Sequence, residues 1–428
     1  MLQYWQIKQH NFEKILLFKL GKFYEIFYND AIICQKILDL NWMGGAKKLH
    51  VGFPEKALDK YLAILVEYGY KVAVIEQTET PKQMEQRQKL DKSAKKEKCV
   101  RREICNVVTK GIYKDPNSTG YEPKFVLAIK RFGNEIGVTF FDVATLKFYV
   151  GQFVDDEPLS NFRTLICQIR PVEVLHEREM ANSDIIKMLK NTPVVPVFTP
   201  MQPKDCWGVI KTCGRIDTYH QDKPWPKTLQ DLKDSDNELA IQSLGMSIAF
   251  LEEALLADMT LTTSEFHLYK PETAHNYSNL EYLVLDSQAL QHLEVVENAQ
   301  GKVEGSLFHY VDNCKTPFGK RQLKRWLLSP LMNIAKINSR LDAVEDLMTH
   351  QYETDVFRSK IAKLPDLEKL LAKLYTYSVK HKVKAIYFEN VSLIKLREFR
   401  VILRQFKALS ELVSSLANKK NDFKSERL

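Results

Sequence analysis

Apolar residues recur along this chain in two rhythms, and the switches between them mark its elements. Ile15-Leu16-Leu17-Phe18-Lys19-Leu20 is short, apolar and free of Gly and Pro, which predicts a buried strand. After Gly21, Tyr24, Phe27, Tyr28, Ala31, Cys34 and Leu38 fall at steps of three and four, which predicts a helix with one apolar stripe against a core. Phe23 and Glu25 then sit to either side of that stripe in the first turn, where the helix dipole favours a carboxylate. Gly21 lets the backbone turn sharply, so the pair is expected at a strand-to-helix corner. Residues 5–13 suit a docking helix, residues 58–68 a helix that stops at Gly69, and residues 70–75 a further strand. Residues 1–112 are thus expected to form a small mixed α/β unit.

Asp115-Pro116-Asn117-Ser118-Thr119-Gly120 is a linker by composition. Three strands follow in residues 124–130, 135–142 and 147–153, then a helix in 161–169 and a strand in 172–175. This order predicts an open α/β unit over residues 121–226, with Pro193, Pro196, Pro200 and Pro203 marking its exit. From Asn237 the rhythm becomes helical, with Leu239, Ile241, Leu244, Ile248, Leu251 and Leu255 on one long face, so residues 237–428 are expected to be mostly helix. In Pro317 to Leu328, Leu323, Trp326 and Leu327 are expected to be buried while Lys320, Arg321, Lys324 and Arg325 stay solvated.

A length of 428 residues exceeds one core, and an apolar share of 45% is ordinary for a folded globular chain. The net charge of +8 is uneven. Residues 82–110 carry ten basic side chains (Lys82, Arg87, Lys89, Lys92, Lys95, Lys96, Lys98, Arg101, Arg102, Lys110) against four acidic ones (Glu85, Asp91, Glu97, Glu103). Such a block is either a solvated helix face or a set of phosphate contacts that position a duplex without reading it. The seven cysteines show no C-x-x-C spacing and read as free thiols of a reducing compartment. No stretch approaches a membrane span, and the first residues lack a signal-peptide pattern, so an intracellular protein is expected.

The aromatic ring and carboxylate of Phe23 and Glu25 suit one task in particular. A ring can wedge between base steps where stacking is already weak, and a carboxylate can hydrogen-bond a base edge that lacks its partner. Beside phosphates a Glu is otherwise unfavourable, so it makes sense where a base contact repays the repulsion. The plainer alternative is a core Phe followed by a helix-start charge.

Phe18 to Ala31, read as FKLGKFYEIFYNDA, resembles the mismatch-recognition signature of the MutS family, in which the Phe stacks on a mispaired base and the Glu two residues on hydrogen-bonds it. Val51 to Glu55, Gly69 to Pro81 and Val100 to Cys105 resemble the nuclear eukaryotic homologue that carries this pair in the MutS-alpha heterodimer. Thr316 to Leu331, followed by Ile337 to Val344, resembles the core signature of the family. The resemblance implies Phe23 as wedge and Glu25 as base reader, with Lys22 and Tyr24 as flanking positioning residues. It places Met43, in the glycine-containing loop 41–48, against the DNA, although core filler is an equal reading for Met43. It further implies a multi-domain architecture: a mixed α/β mismatch-binding domain, a ribonuclease-H-like α/β connector, and a mostly α-helical core or lever domain. The implied partners are mismatched double-stranded DNA and a second MutS homologue, in the nucleus.

Asp142 ends a strand as a nuclease carboxylate would, but no converging set of carboxylates accompanies it, so no catalytic or metal role is assigned. The family's ATPase needs a G-x-x-x-x-G-K-[ST] loop to wrap phosphates, and no such sequence occurs here. The expectation is a chain without cofactor of its own, matching the amino-terminal half of a longer protein whose remaining domain would hold ATP and Mg. The rival reading is a truncated module that binds a MutS partner without engaging DNA productively.

Overall fold

The computed structural model describes residues 1–44, 49–90, 99–113, 120–221, 224–271, 282–378, 391–417 and 423–425. Its first unit is built on a six-stranded sheet. The strands are β1 (Lys14–Leu20), β2 (Phe23–Phe27), β3 (Trp42–Met43), β4 (His50–Pro54), β5 (Lys71–Gln77) and β6 (Arg102–Val108), in the spatial order β3-β4-β2-β1-β5-β6.

Strand β1 is apolar from Ile15 to Phe18 because both its faces are covered there, and its two lysines, Lys14 and Lys19, are buried in ion pairs. On one face Ile15 and Leu17 join Tyr24, Ile26, Val51, Phe53, Val72 and Val74 beneath the helices Tyr28–Leu38 and Leu58–Glu67. On the other, Leu16 and Phe18 join Phe27, Ala73, Ile75 and Val107 beneath Tyr4 of the helix Leu2–Lys8.

The expected corner is a hairpin. Leu20 pairs with Phe23, so Gly21 and Lys22 form a two-residue turn, and Gly21 has the positive φ of 61° that such turns require. Phe23 and Glu25 therefore lie in a strand and not in a first helical turn. The residues Phe23-Tyr24-Glu25-Ile26-Phe27 satisfy a period of two as well as a helical step, and pairing with β1 and β4 decides between them. The helix begins only at Tyr28, and there Ala31, Cys34 and Leu38 are buried as the stripe predicts. The expected helix over 5–13 runs instead from Leu2 to Lys8. It stops where the buried Lys8 ammonium turns to the Lys14 carbonyl (2.7 Å) and the Asp30 carboxylate (2.8 Å).

The second sheet consists of β7 (Val126–Phe132), β8 (Glu135–Asp142), β9 (Lys147–Val154), β10 (Glu173–Glu177), β11 (Val197–Met201) and β12 (Glu265–Leu268), ordered β11-β10-β7-β8-β9-β12. The three strands predicted in succession form an antiparallel meander, with β10 parallel to β7 and β12 parallel to β9. Pro200 does not mark an exit: it sits in β11 at the edge of the sheet, where a missing N–H costs no ladder bond.

The change to helical rhythm at Asn237 likewise does not begin a new core. The helix Glu238–Glu253 lies across β7 and β8, with the Ser243 and Thr139 hydroxyls 2.8 Å apart. A Cβ at Gly137 would fall 2.3 Å from the Leu239 backbone, which is how this helix comes so close. Its apolar face is buried in this sheet's core, and β12 extends the same sheet beyond it. The second unit therefore reaches well past the expected limit of residue 226.

Beyond β12 the described chain is helical, ending in the 27-residue helix Val391–Ala417. The helix Pro317–Leu328 departs from expectation in part. Leu327 packs on the cluster of Leu290 and Leu328, and Arg325 is exposed, as expected, but Trp326 is 39% exposed under the Arg340 guanidinium (4.0 Å) while Arg321 and Lys324 turn inward. Arg321 grips both Asp366 oxygens (2.6 and 2.7 Å), the Glu368 carboxylate and the Tyr121 carbonyl (3.1 Å). Glu368 also takes Lys147 of β9 (2.9 Å), and Lys324 takes Glu122 (2.7 Å). Period alone marks an amphipathic helix, but it cannot say that carboxylates on other elements will draw the charged side inward.

Candidate nucleic-acid interface

Alternation along β2 separates three neighbouring residues. Tyr24 points into the helix-covered core and is fully buried, its hydroxyl donating to the Glu76 carboxylate. That burial agrees with the place of Tyr24 in the apolar stripe, and any positioning it supplies reaches the exposed face through the strand. Phe23 and Glu25 point the other way. Phe23 is 42% exposed, next to the hairpin turn, opposite Leu20 on one side and Pro54 on the other. Lys22 is exposed in the turn, and its carbonyl accepts the Glu55 N–H (2.8 Å).

Glu25 is half-buried, opposite Phe18 and Gly52. A Cβ on Gly52 would lie 3.1 Å from Met43 Sδ and 3.5 Å from Glu25 Cγ, so the missing side chain is the space that Met43 and the Glu25 stem share. The structure thus brings Phe23, Glu25 and Met43 to one face, with Lys22 at its rim.

Three further residues belong to this face: His50 and Gly52, which do not stand out in the sequence, and Arg102 of the basic block. His50 lies opposite both Phe27 and Met43, with Nε2 3.9 Å from Glu25 Oε2. Gly52 is described above. Arg102 on β6 stretches over the Phe18 ring (5.3 Å) and donates to the Lys19 carbonyl (2.7 Å). Burial pushes its guanidinium down while the nearby Cys99 and Glu25 pull the other way, and the group stays a cation. The alternation of Val51 and Phe53 with His50, Gly52 and Pro54 is the signal that would have placed His50 and Gly52 opposite the core.

Beneath the face, fully buried Lys19 pairs with Glu55 (2.9 Å) and lies over the Tyr24 ring (4.3 Å). Burial drives the Glu76 carboxyl above its usual range, the Tyr24 hydroxyl and Lys19 oppose this, and Glu55 adds to it. The base of β2 is therefore held by a charged, dry network.

Of the basic block, Arg87 is committed to Glu79 (2.8 and 3.0 Å), whereas Lys82 and Lys89 are exposed along the helix Pro81–Leu90. Lys92, Lys95, Lys96 and Lys98 lie outside the described residues, as do Gly45 to Lys48 of the loop. Asp142 is buried and accepts from the Ala144 N–H (3.0 Å) and Thr145 hydroxyl (2.9 Å), so its carboxylate caps the β8–β9 turn. Among the described residues no group of three potential metal ligands occurs, and no helix is long and apolar enough to cross a membrane. All seven cysteines are free thiols.

Comparison with known proteins gives this geometry a family. The models for MutS domain I, MutS domain II and MutS domain III match residues 1–117, 124–263 and 288–428. The chain is 36% identical to DNA mismatch repair protein Msh6 of Gallus gallus over 100% of its own length and 36% of the relative's. For Msh6 of Homo sapiens the identity is 34%, over 100% of this chain and 35% of the relative. For MSH6 of Saccharomyces cerevisiae it is 28%, over 99% of this chain and 34% of the relative. The chain thus spans about a third of the length of these relatives. With three consecutive domain models and whole-chain similarity to Msh6 proteins in agreement, the chain belongs to the MutS family of DNA mismatch repair proteins.

Proposed function

We propose that this chain reads mispaired or looped duplex DNA, with Phe23 wedging beside the defective base and Glu25 hydrogen-bonding its edge. The observation that carries the reading is the pairing of an exposed Phe23 with a half-buried Glu25 on one face of a strand fixed on both sides. Exposed Lys22, Lys82, Lys89 and Arg101 are among the described cations available for phosphates. Met43 lines the floor beside Glu25, and Tyr24 holds the strand from below. A paired duplex resists kinking by a few kcal/mol more than one whose stacking is already broken, and specificity arises from that difference.

The meander β7-β8-β9 with parallel strands added beside β7 supports a ribonuclease-H-like connector, and the helices beyond β12 support a lever-like core domain. The described residues supply binding and positioning; ATP and Mg chemistry belongs, on the family resemblance, to a nucleotide loop absent from these 428 residues. The expected partner is a second MutS homologue, and the expected compartment the nucleus. A second reading, a partner-binding module without productive DNA contact, draws on Leu341, Val344 and Met348, which stand 59%, 53% and 74% exposed along the helix Ile334–Thr349.

Binding of the purified chain to a duplex with one G·T mismatch and to its paired twin, across salt, with Phe23→Ala alongside, separates these readings. A mismatch preference that vanishes in Phe23→Ala supports the wedge. Equal, salt-sensitive binding of both duplexes reduces the role of this chain to its basic surface and favours the module.

A further inference from the structure

Glu25 has a fixed neighbour. The His50 ring stacks on Phe27, with centroids 5.7 Å apart and planes at 29°, and its side chain is only 14% exposed. Gly44, at φ 77°, passes so close that a Cβ there would lie 2.7 Å from His50 Cε1. Phe27, Met43 and Gly44 therefore confine the imidazole, while the Glu25 carboxylate rides on a flexible stem. The separation of 3.9 Å between Nε2 and Oε2 exceeds a hydrogen bond, and a small rotation of Glu25 closes it.

We propose that His50 is a positioning residue for Glu25: the confined imidazole edge holds one carboxylate oxygen and leaves the other directed at the base. This rests on the reading of Glu25 as the base-contacting group. A carboxylate approaching DNA is repelled by phosphates and loses side-chain freedom on contact, and a donor fixed beside it lowers both costs before the duplex arrives. Among the described residues, the other charged and titratable groups near the pair have contacts of their own. Arg102 is engaged with the Lys19 and Val100 carbonyls, Lys22 lies in the turn, and the Tyr4 and Tyr28 rings pack against Phe27.

His50→Phe keeps the stack on Phe27 and removes the polar edge, whereas His50→Gln keeps a donor. The test measures the ratio of G·T to paired affinity for the wild type, His50→Phe, His50→Gln, Glu25→Ala and the Glu25→Ala, His50→Phe double variant, with thermal melting as the check on folding. The expected result is a loss of about three-fold in the ratio for His50→Phe, the size of a partly exposed ion pair, recovery in His50→Gln, and no further loss in the double variant. A full ratio in Glu25→Ala sinks the reading of Glu25 itself. A reduced ratio in Glu25→Ala with a full ratio in His50→Phe, or equal weakening of both duplexes by His50→Phe, overturns the positioning role alone. A readout without DNA is the Glu25 carboxyl carbon resonance, assigned by its disappearance in Glu25→Gln. It is expected to move in His50→Phe and return towards its place in His50→Gln, and an unmoved resonance overturns the proposal.

Discussion

Within Phe23-Tyr24-Glu25, side-chain direction assigns the work. Phe23→Ala removes a ring that is 42% exposed, so stability is expected to stay within about 0.5 kcal/mol while mismatch affinity falls about ten-fold, the worth of one stacked aromatic. Thermal melting and fluorescence anisotropy check the two halves. Tyr24→Phe is expected to do the reverse. It strips a hydroxyl from the buried Glu76 carboxylate and should destabilise by about 1–3 kcal/mol in urea unfolding. The chemistry of Phe23 and Glu25 was legible from residue type and resemblance, but their backbone was not. FYEIF carries both a period of two and, with Tyr28 and Ala31, a helical step, and only the ladder to β4, more than twenty residues on, resolves it. His50 escaped notice because a lone histidine carries no signal until its strand is placed.

At the level of elements, the interface depends on two glycines for different reasons. Gly21→Val forces a β-branched residue to φ 61° with open space around it, so backbone strain alone is expected to cost about 1–2 kcal/mol, read as a lowered melting temperature. Gly52→Ala adds a methyl 3.0 Å from the Tyr24 carbonyl oxygen and 3.1 Å from Met43 Sδ; the thioether gives way, but the backbone of the paired strand β2 does not. Its expected signature is a reduced G·T to paired affinity ratio together with a lowered melting temperature.

The charged network below β2 adds a pH signature. The raised Glu76 carboxyl binds its proton more tightly in the folded state, so its contribution to stability falls as pH rises from the ordinary carboxylate range through the raised value. Glu76→Gln should flatten that decline in urea unfolding from about pH 4 to pH 8. Strands β7 to β10 and the helix Ser160–Ile169 were legible because each carries a clean rhythm, whereas β11, with Pro200 inside it, and β12 were not. The place of Glu238–Glu253 was not, since its partners on β7 and β8 lie about a hundred residues upstream.

Across the whole molecule, Arg321 ties the helical part to the second unit. Burial pushes the Asp366 and Glu368 carboxyls up; Arg321, aided by Lys369, outweighs it at Asp366, and Lys147 together with Arg321 outweighs it at Glu368. Both carboxyls end below their usual range. The stabilisation is thus present above the unfolded-state values and is lost as pH falls through the lowered ones. Arg321→Lys is expected to fail as a substitute, because an ammonium cannot reproduce the bidentate grip. Either Arg321→Lys or Arg321→Ala should cost about 2 kcal/mol, with faster hydrogen exchange in the helix Leu367–Ser378 and unchanged exchange in β1 and β5.

The first unit also meets the second through polar contacts. Lys14, where β1 begins, pairs with Glu253 at the end of the long helix (2.6 Å), and Thr109 and Gly111, just past β6, bond the buried Glu173 of β10 (2.5 and 3.0 Å). The sheet that carries Phe23 is thus anchored from both β1 and β6, and a displacement at its tip has one polar route to the helix Glu238–Glu253 and another to β10.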